Sequence, residues 1–330
     1  MPITPDLSIC ILVYNQPEDV ERLLDSISSQ ISDGVEIIIR DDSTNNETED
    51  IVGRYSHISQ LIYHRGEKQG IDKTIIYLTS IARGRFIWWM GDDDIASGSI
   101  AEVVSVIDKY PDVGFFWANY SIKDTSIVAI NLPNSRFFAD RDELLLMSGT
   151  GLGFISASIM RRDLAASSLA GADKYVGTTF VNLYIALSVI TNSDRYYYLR
   201  GPVVICHPAG SDEIKSITVK SGGVIENRAF EVFGVNFYNI VSHFARYFRA
   251  GTIRKVLKKS FGQTWRGVLV GWAGGWDTPK GKRLELLRVF HGYPEAWVAF
   301  VLFCMPSWLN KFMYSAYRAI KYKTISGRHA

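Results

Sequence analysis

Acidic residues cluster at two places where apolar runs of the sequence end. Asp41 and Asp42 follow the run VEIIIR, and Asp92–Asp94 follow the run RFIWWM after one glycine. Like charges this close raise each other's pKa unless a cation neutralises them. Carboxylate oxygens are hard ligands that suit Mg²⁺ or Mn²⁺, and such an ion can hold a diphosphate. The triple cluster therefore predicts a divalent-metal site, with capping of the next helix as the alternative.

The acidic pair after VEIIIR suits recognition of a nucleoside. Carboxylates accept hydrogen bonds from base N–H groups and from ribose hydroxyls. Tyr14 ends the first apolar run, and its ring could stack on a base. A plain polar turn at Asp41 and Asp42 is the alternative. Together with the metal cluster, these residues describe a site for a nucleotide sugar.

Hydrophobic periodicity indicates the elements that position these residues. Strands alternate with helices through short links, which predicts an α/β sheet of the doubly wound type. In such sheets ligands bind at the carboxyl ends of the strands, where both acidic clusters fall. The predicted strands are 7–14, 35–40, 60–64, 85–90 and 113–118, and the helices between them are 18–31, 45–55, 72–83 and 99–109.

Composition excludes several classes of protein. The 330 residues are 47% hydrophobic and 21% charged, which is typical of a globular chain and excludes intrinsic disorder as the main state. Cys10, Cys206 and Cys304 lie far apart, which excludes a disulfide scaffold or a thiolate metal cluster and fits a reducing cytosol. The first residues show no secretory pattern.

Charge is distributed unevenly along the chain. Residues 236–330 hold 16 basic and 3 acidic residues, which leaves 20 basic and 31 acidic residues in the first 235. The tail also carries 19 of the 42 aromatic residues. Nucleic acid and an anionic membrane surface are the candidate partners of such a tail. The apolar run 296–309 contains Pro306 and is too short to span a membrane, so it predicts either a core helix or an interfacial helix.

The segments LSICILVYNQPEDVERLLDSISSQ, VEIIIRDDSTNNETE and GRFIWWMGDDD resemble, in order and spacing, the family 2 glycosyltransferases of the GT-A fold. The resemblance covers residues 7 to about 120. It implies a GT-A fold, a DXD-type metal element that binds Mn²⁺ or Mg²⁺, and a nucleotide-sugar donor. The metal ligands so indicated are Asp92, Asp93, Asp94 and His207. The nucleotide-binding residues so indicated are Leu12, Tyr14, Asn15, Asp41, Asp42, Asp72, Asp92 and Asp93.

A narrower resemblance extends further along the chain. The stretches GIDK at 70–73, GFISASIMRRD, GTT at 177–179 and PVVIC at 202–206 are similar to the abequosyltransferase-type enzymes of bacterial O-antigen assembly. This implies transfer of a deoxy sugar to a glycan acceptor linked to polyprenyl diphosphate, within lipopolysaccharide biosynthesis. It also implies a cytoplasmic enzyme, peripheral on the inner face of the cytoplasmic membrane.

The sequence departs from the family where the catalytic base is expected. Many inverting members carry an acidic pair before the late apolar helix, and here Thr178 and Thr179 stand at those positions. A hydroxyl cannot serve as such a base. Asp173 is the candidate nearest in sequence, with a solvated loop residue as the alternative. For His207, a turn histidine with one hydrogen bond is the alternative to a metal ligand.

We therefore predict a GT-A catalytic domain at 1–225, with its nucleotide-sugar half at 1–120 and its acceptor half at 121–225, and a helical region at 226–330. Two other functions stay open at this point. A nucleotidyltransferase acting on a sugar phosphate usually has a glycine-rich loop that VYNQPEDV lacks. A basic protein that binds nucleic acid or membrane without catalysis would fit the tail. No recognised nucleic-acid motif occurs, so we expect no nucleic-acid partner.

Overall fold

The computed structural model describes residues 4–207, 218–221, 224–227, 230–273, 284, 287–306, 308–309, 312 and 315. The chain forms two compact units. The first consists of residues 1–208 and 240–256, and the second of residues 209–239 and 257–330. The sequence analysis placed 240–256 in the C-terminal region. These residues join the first unit because Phe244 packs on Tyr184 and the backbone N–H of Arg249 donates to the carboxylate of Asp142.

The first half of the first unit alternates strands and helices as predicted. The strands β1, β2 and β3 are parallel neighbours, and β4 lies parallel to β1 on its other side. The bounds are β1 Leu7–Val13, α1 Pro17–Ser28, β2 Val35–Asp41, α2 Glu47–Arg54, β3 Leu61–Arg65, α3 Ile71–Ile81, β4 Phe86–Met90, β5 Asp94–Ile95 and α4 Ser99–Lys109.

The second half completes the same sheet: β8 pairs antiparallel with β4 and β6, β6 and β9 pair in parallel, and β5 and β7 pair antiparallel with β9. The strand order is β3-β2-β1-β4-β8-β6-β9-β5, with β7 paired to β9. The bounds are β6 Phe115–Ile122, β7 Arg136–Phe137, α5 Arg141–Ser148, β8 Ser158–Arg161, α6 Arg162–Ser167, α7 Leu169–Ala172, α8 Val181–Thr191 and β9 Tyr196–Cys206. Residues 149–157 form two short 3-10 turns before β8.

The sheet is the core of the first unit because helices cover both of its faces. Side chains of β4 are buried along its whole length, including Trp88 and Trp89. This burial explains why β1, β2 and β4 read as continuous apolar runs instead of alternating ones. The helix α1 packs on the sheet through Val20, Leu23 and neighbouring apolar residues. A doubly covered, mainly parallel sheet of this kind confirms the predicted GT-A class of fold.

The second unit is largely helical where it is described. Its elements are a hairpin of β10 (Thr218–Ser221) and β11 (Val224–Asn227), a π-helix at Phe230–Asn236, α9 (Phe237–His243), α10 (Ala250–Ala273) and α11 (Pro294–Cys304). The helix α9 begins in the second unit and continues into the first, and α10 begins in the first unit and continues into the second. Phe261 and Phe290 are buried together with ring centroids 4.8 Å apart. Among the described residues, no helix combines the length and the apolar composition needed to cross a membrane.

Candidate active site

The acidic turn Asp92–Asp94 lies at the carboxyl end of β4, as the sequence predicts. Its last residue begins β5, which pairs antiparallel with β9 in the register Asp94 to Ile205. This short pairing has a consequence for His207, which follows β9 by one residue. The pairing brings His207 back to the acidic turn, although more than a hundred residues separate the two in sequence.

Asp94 lies between two nitrogen donors. His207 Nε2 is 2.6 Å from Asp94 Oδ2, and the Nε of Arg22 donates to Asp94 Oδ1 at 2.7 Å. The side chains of Asp94 and His207 are 14% and 16% exposed, so solvent screens this contact only in part. The structure thus brings together two of the residues predicted as metal ligands, and it adds Arg22, which the sequence analysis did not identify.

Asp93 is more deeply buried than Asp94. Its Oδ2 accepts a hydrogen bond of 2.6 Å from the Ser156 hydroxyl, and its Oδ1 accepts one of 3.3 Å from the backbone N–H of His207. Burial raises the pKa of the Asp93 carboxyl to about 7, although the Ser156 hydrogen bond opposes this shift. Burial also raises the pKa of Asp92. Both shifts reflect carboxylates that lack sufficient compensating charge.

The donor atoms at this turn fit a divalent cation that shares its coordination with a substrate. Among the described residues, no group of three or more His, Cys, Asp or Glu side chains is arranged as a complete metal site. A Mg²⁺-type ion is commonly held by one or two carboxylates plus substrate phosphates. Asp94 and His207 place an oxygen and a nitrogen atom side by side, and burial raises the pKa of both Asp92 and Asp93. A divalent cation at this turn would therefore need further ligands from a substrate, such as the oxygens of a diphosphate.

The acidic pair Asp41 and Asp42 lies at the end of β2, at the same edge of the sheet. Both carboxylates are buried. Asp41 accepts hydrogen bonds from the Tyr63 hydroxyl at 2.7 Å and from the backbone N–H of Ser43 at 2.8 Å. Burial, together with the bond to Asp41, raises the pKa of Tyr63. Asp41 is thereby fixed by contacts within the protein.

Asp42 has a different set of partners. Its Oδ1 accepts a hydrogen bond of 2.8 Å from Arg40 Nε, and its Oδ2 accepts one of 2.9 Å from the Thr74 hydroxyl. The Arg40 guanidinium also lies 4.9 Å from the centre of the Tyr77 ring. A Cβ at position 66 would come within 2.1 Å of the Arg40 guanidinium, so a larger residue there would displace the arginine side chain. Arg40 and Thr74 thus set the orientation of Asp42.

The residues after β1 form the exposed part of this region. Tyr14 is 38% exposed, and the ammonium group of Lys68 lies 4.0 Å from its ring centre. Asn15 adopts a left-handed backbone conformation (φ 52°), which asparagine tolerates better than most residues. Its side-chain oxygen accepts a hydrogen bond of 2.9 Å from the backbone N–H of Thr44. Leu12 lies half-buried in β1, opposite Arg40 of β2.

Asp72 has a role that the sequence analysis did not predict. We expected it to bind the nucleotide. Its buried carboxylate instead accepts backbone hydrogen bonds from the turn before α8: 2.8 Å from Gly177, 2.9 Å from Thr179 and 3.1 Å from Val181. The N–H groups at the start of a helix have no acceptor within the helix, and the oxygens of Asp72 supply acceptors at this turn. Asp72 therefore holds this turn, and its contact with the nucleotide stays a prediction.

The turn that Asp72 holds contains an unusual conformation. Thr179 has φ 68° and Gly177 has φ 93°. A left-handed threonine is a rare conformation because its β-branched side chain clashes with the backbone. The Thr178 hydroxyl donates to the backbone oxygen of Tyr175 at 2.6 Å. Asp173, the predicted base, lies exposed in the 3-10 turn Asp173–Tyr175 just before this segment.

Several residues around the site were missed from the sequence. Arg22 lies beside the apolar stripe of α1 and reads as a surface charge, and Ser156 lies in an irregular segment without periodicity. Neither has a motif that would distinguish it. Thr74 lies two residues after Asp72 in the first turn of α3. If the sequence GIDKT is taken as the start of a helix, Asp72 and Thr74 point in different directions, and one of them is expected to face β2.

The comparisons with known proteins agree with the fold. Residues 8–168 match the family described as Glycosyl transferase family 2. The Abequosyltransferase RfbV of Salmonella typhimurium is 26% identical over 222 residues, which cover 61% of this chain and 66% of that protein. The chain therefore spans just under two thirds of the length of this curated relative.

Two solved structures share the fold. Staphylococcus aureus TarS 1–349 in complex with UDP-GlcNAc superposes with a TM-score of 0.58 at 16% identity, covering 85% of this chain and 78% of that one. A mannosyltransferase from Pyrobaculum calidifontis in complex with GDP-Man and Mn²⁺ has a TM-score of 0.52 at 14% identity, covering 91% and 84%.

The family match, together with a mainly parallel sheet that carries acidic residues at its carboxyl edge, defines a glycosyltransferase. Residues 8–168 match glycosyltransferase family 2, and the chain is similar to an abequosyltransferase. This result favours a glycosyltransferase over the nucleotidyltransferase and the non-catalytic binding protein that the sequence left open.

Proposed function

We propose that the enzyme transfers a sugar, of the deoxy type, from a nucleotide sugar to a glycan acceptor with the help of Mn²⁺ or Mg²⁺. The observation that carries this proposal is the contact of Asp94 with His207 at the carboxyl end of β4, 2.6 Å between Oδ2 and Nε2. The likeness to the abequosyltransferase supports the deoxy sugar. The nucleotide sugars named for the structural neighbours, and the Mn²⁺ named for one of them, support the donor and the metal.

In this proposal the acidic turn holds the metal and the diphosphate end of the donor. Asp94 and His207 would be direct ligands, and Asp92 and Asp93 would supply negative charge behind them. When bound, the divalent cation acts as a Lewis acid on the diphosphate, which leaves more easily as its charge is neutralised. Ser156 keeps the Asp93 carboxylate oriented through its hydrogen bond.

The nucleoside would bind beside β1 and β2. A base that stacks on Tyr14 displaces the ammonium of Lys68 from the ring face. Asn15 and Leu12 would line the same pocket. Asp42 would accept from the base or ribose, because its orientation is fixed by Arg40 and Thr74. Asp41 would support Asp42, since the oxygens of Asp41 already accept hydrogen bonds from Tyr63 and Ser43.

The acceptor hydroxyl needs a base, and we propose Asp173 for that role. Its exposure leaves the carboxylate accessible to a substrate, and it precedes the strained turn at Thr179. Thr178 and Thr179 have no group that can take a proton at neutral pH.

Calorimetric titration with UDP, CDP, GDP and dTDP, each with Mn²⁺ or with EDTA, tests the donor and the metal together. We expect one nucleotide to bind, with an affinity at least ~10-fold higher when Mn²⁺ is present, because the cation bridges the diphosphate and the acidic turn.

Arg161→Met is a matched control for this titration, since Arg161 pairs with Asp163 at the amino end of the sheet. It should bind the same nucleotide with unchanged affinity. Absence of binding to all four nucleotides would contradict the nucleotide-sugar donor, and equal binding in EDTA would contradict the metal.

We also propose that the acceptor is linked to polyprenyl diphosphate, that the enzyme serves O-antigen assembly, and that it works in the cytoplasm at the inner face of the membrane. The supporting observation is the exposed apolar face of α11 and the residues after it. Trp297, Val298 and Val301 are 52%, 59% and 53% exposed, and Trp308 and Phe312 are 68% and 69% exposed. Aromatic residues on such a face suit the interface of a bilayer. Most of 310–330, also predicted to contact lipid, lies outside the described residues.

Flotation with phosphatidylglycerol-containing liposomes tests this surface. The variant Trp297→Ser/Val301→Ser should lose most of the binding seen for the wild type, because the apolar area available to the bilayer falls. Ile127→Ser is the control, since Ile127 is 56% exposed in the first unit. A wild-type protein that stays at the bottom of the gradient would exclude membrane attachment through α11.

A further inference from the structure

Arg22 of α1 contacts the acidic turn through two of its three guanidinium nitrogens, and the third contacts Asp19 of the same helix. Its Nε donates to Asp94 Oδ1 at 2.7 Å, its second amino group donates to the backbone oxygen of Asp92, and its first amino group donates to Asp19 Oδ1 at 2.6 Å. One side chain therefore joins the first and last residues of the turn and ties both to α1.

The position of Arg22 is fixed because α1 is attached to the chain that follows the turn. The Ser26 hydroxyl accepts from the backbone N–H of Ile95 at 3.1 Å. The Gln30 side chain donates to the backbone oxygen of Ala96 and accepts from the N–H of Ile100, both at 3.2 Å. Since α1 is also packed on the sheet, the guanidinium cannot leave the turn by a movement of the helix as a whole.

The charge of Arg22 is permanent. Its side chain is 29% exposed, so its attraction to Asp94 is only partly screened. The guanidinium also occupies Asp94 Oδ1, one of the oxygens that a divalent cation would use. Two cations at one carboxylate repel each other, so binding of the metal has to overcome Arg22.

We propose that Arg22 is the resident counter-cation of the acidic turn. It holds Asp92 and Asp94 in place when no metal is bound, and it sets the affinity for the metal by competing for Asp94. Arg22 is thus a positioning residue. The inference rests on the metal site of the proposed function and deepens it, because it explains how the Asp94 carboxylate and the backbone of Asp92 are held before a donor arrives.

The test replaces Arg22 in the full chain and titrates Mn²⁺ alone, with electron paramagnetic resonance reporting the free ion. Arg22→Met should bind Mn²⁺ at least ~10-fold more tightly than the wild type, because a positive charge is removed next to the ligands. In EDTA the same variant should unfold at least ~3 °C lower, since the carboxylates lose their counter-charge. Arg22→Gln repeats the test with a polar side chain in case the Met variant does not fold.

Two further variants distinguish the effect of the Arg22 charge from a general structural effect of replacing an arginine. Arg22→Lys keeps the charge and should restore the Mn²⁺ affinity to within ~3-fold of the wild type. Arg54→Met removes an arginine that pairs with Glu21 on the solvent side of α1, and it should change neither Mn²⁺ affinity nor melting temperature.

Unchanged or weaker Mn²⁺ binding by the Met and Gln variants would overturn the proposal, as would Mn²⁺ binding that is undetectable in every variant. Failure of the proposed function looks different. In that case the wild type would bind none of the four nucleotide diphosphates, whatever the behaviour of Mn²⁺ alone.

Discussion

Asp94→Ala is expected to lower kcat/KM for sugar transfer by at least ~10³-fold, with the loss appearing mainly in kcat. The substitution removes the carboxylate that lies between Arg22 and His207, and with it an oxygen that the proposed cation would use. Charge develops on the diphosphate as it leaves, so a missing metal ligand costs several kcal/mol in the transition state. Release of the nucleotide diphosphate, followed in a coupled assay with the donor that binds, measures this effect.

Asp108→Ala is the control for this experiment. Asp108 is 53% exposed and pairs with Arg85 away from the acidic turn, so its loss should leave the rate within ~2-fold of the wild type. Melting curves in EDTA should show that the Asp94 variant is folded. A rate for Asp94→Ala within ~10-fold of the wild type would mean that the acidic turn does not carry the metal chemistry.

Asp72→Asn is expected to destabilise the first unit by ~2–4 kcal/mol. The native carboxylate accepts from the backbone N–H groups of Gly177, Thr179 and Val181. An amide supplies only one acceptor atom, and its NH₂ group would face at least one of these donors. Buried N–H groups without partners carry a desolvation cost. Urea unfolding followed by circular dichroism gives the change in free energy.

Asp163→Asn is the matched comparison for Asp72, since Asp163 lies in the first turn of α6 and its side chain is 56% exposed. It should alter the free energy of unfolding by less than ~0.5 kcal/mol. Equal unfolding midpoints for the two variants would show that the turn before α8 does not depend on Asp72.

Much of the fold was predictable because the parallel strands are buried on both faces. The runs at 7–14, 35–40 and 85–90 have no polar alternation, and each became a strand at the predicted place. The helices between them carry clear apolar periodicity, as in α1 with Val20 and Leu23. The position of the acidic clusters followed from topology alone, since the carboxyl ends of parallel strands share one edge.

The remaining features of the fold and of the site depend on tertiary contacts that no local sequence pattern encodes. β5 and β7 have two residues each, too few to show a period, yet β5 is what aligns the acidic turn with β9 and His207. Asp72 reads as a first-turn helix residue next to the nucleotide site, and only the tertiary structure shows that its partners lie more than a hundred residues later. Tertiary contacts of this kind also explain why Arg22 read as a surface charge.

The first turn of α3 contacts both proposed halves of the enzyme. Thr74 bonds to Asp42 in the proposed donor half, and Asp72 bonds to the turn at Gly177 in the proposed acceptor half. Residues two apart on a helix point about 200° away from each other, so one rigid turn reaches in opposite directions. A chimaera that joins the donor half of this chain to the acceptor half of a relative would therefore separate Asp72 from the turn selected to fit it. Exchange of acceptor specificity by recombination should succeed only when residues 70–74 and 177–181 come from the same parent.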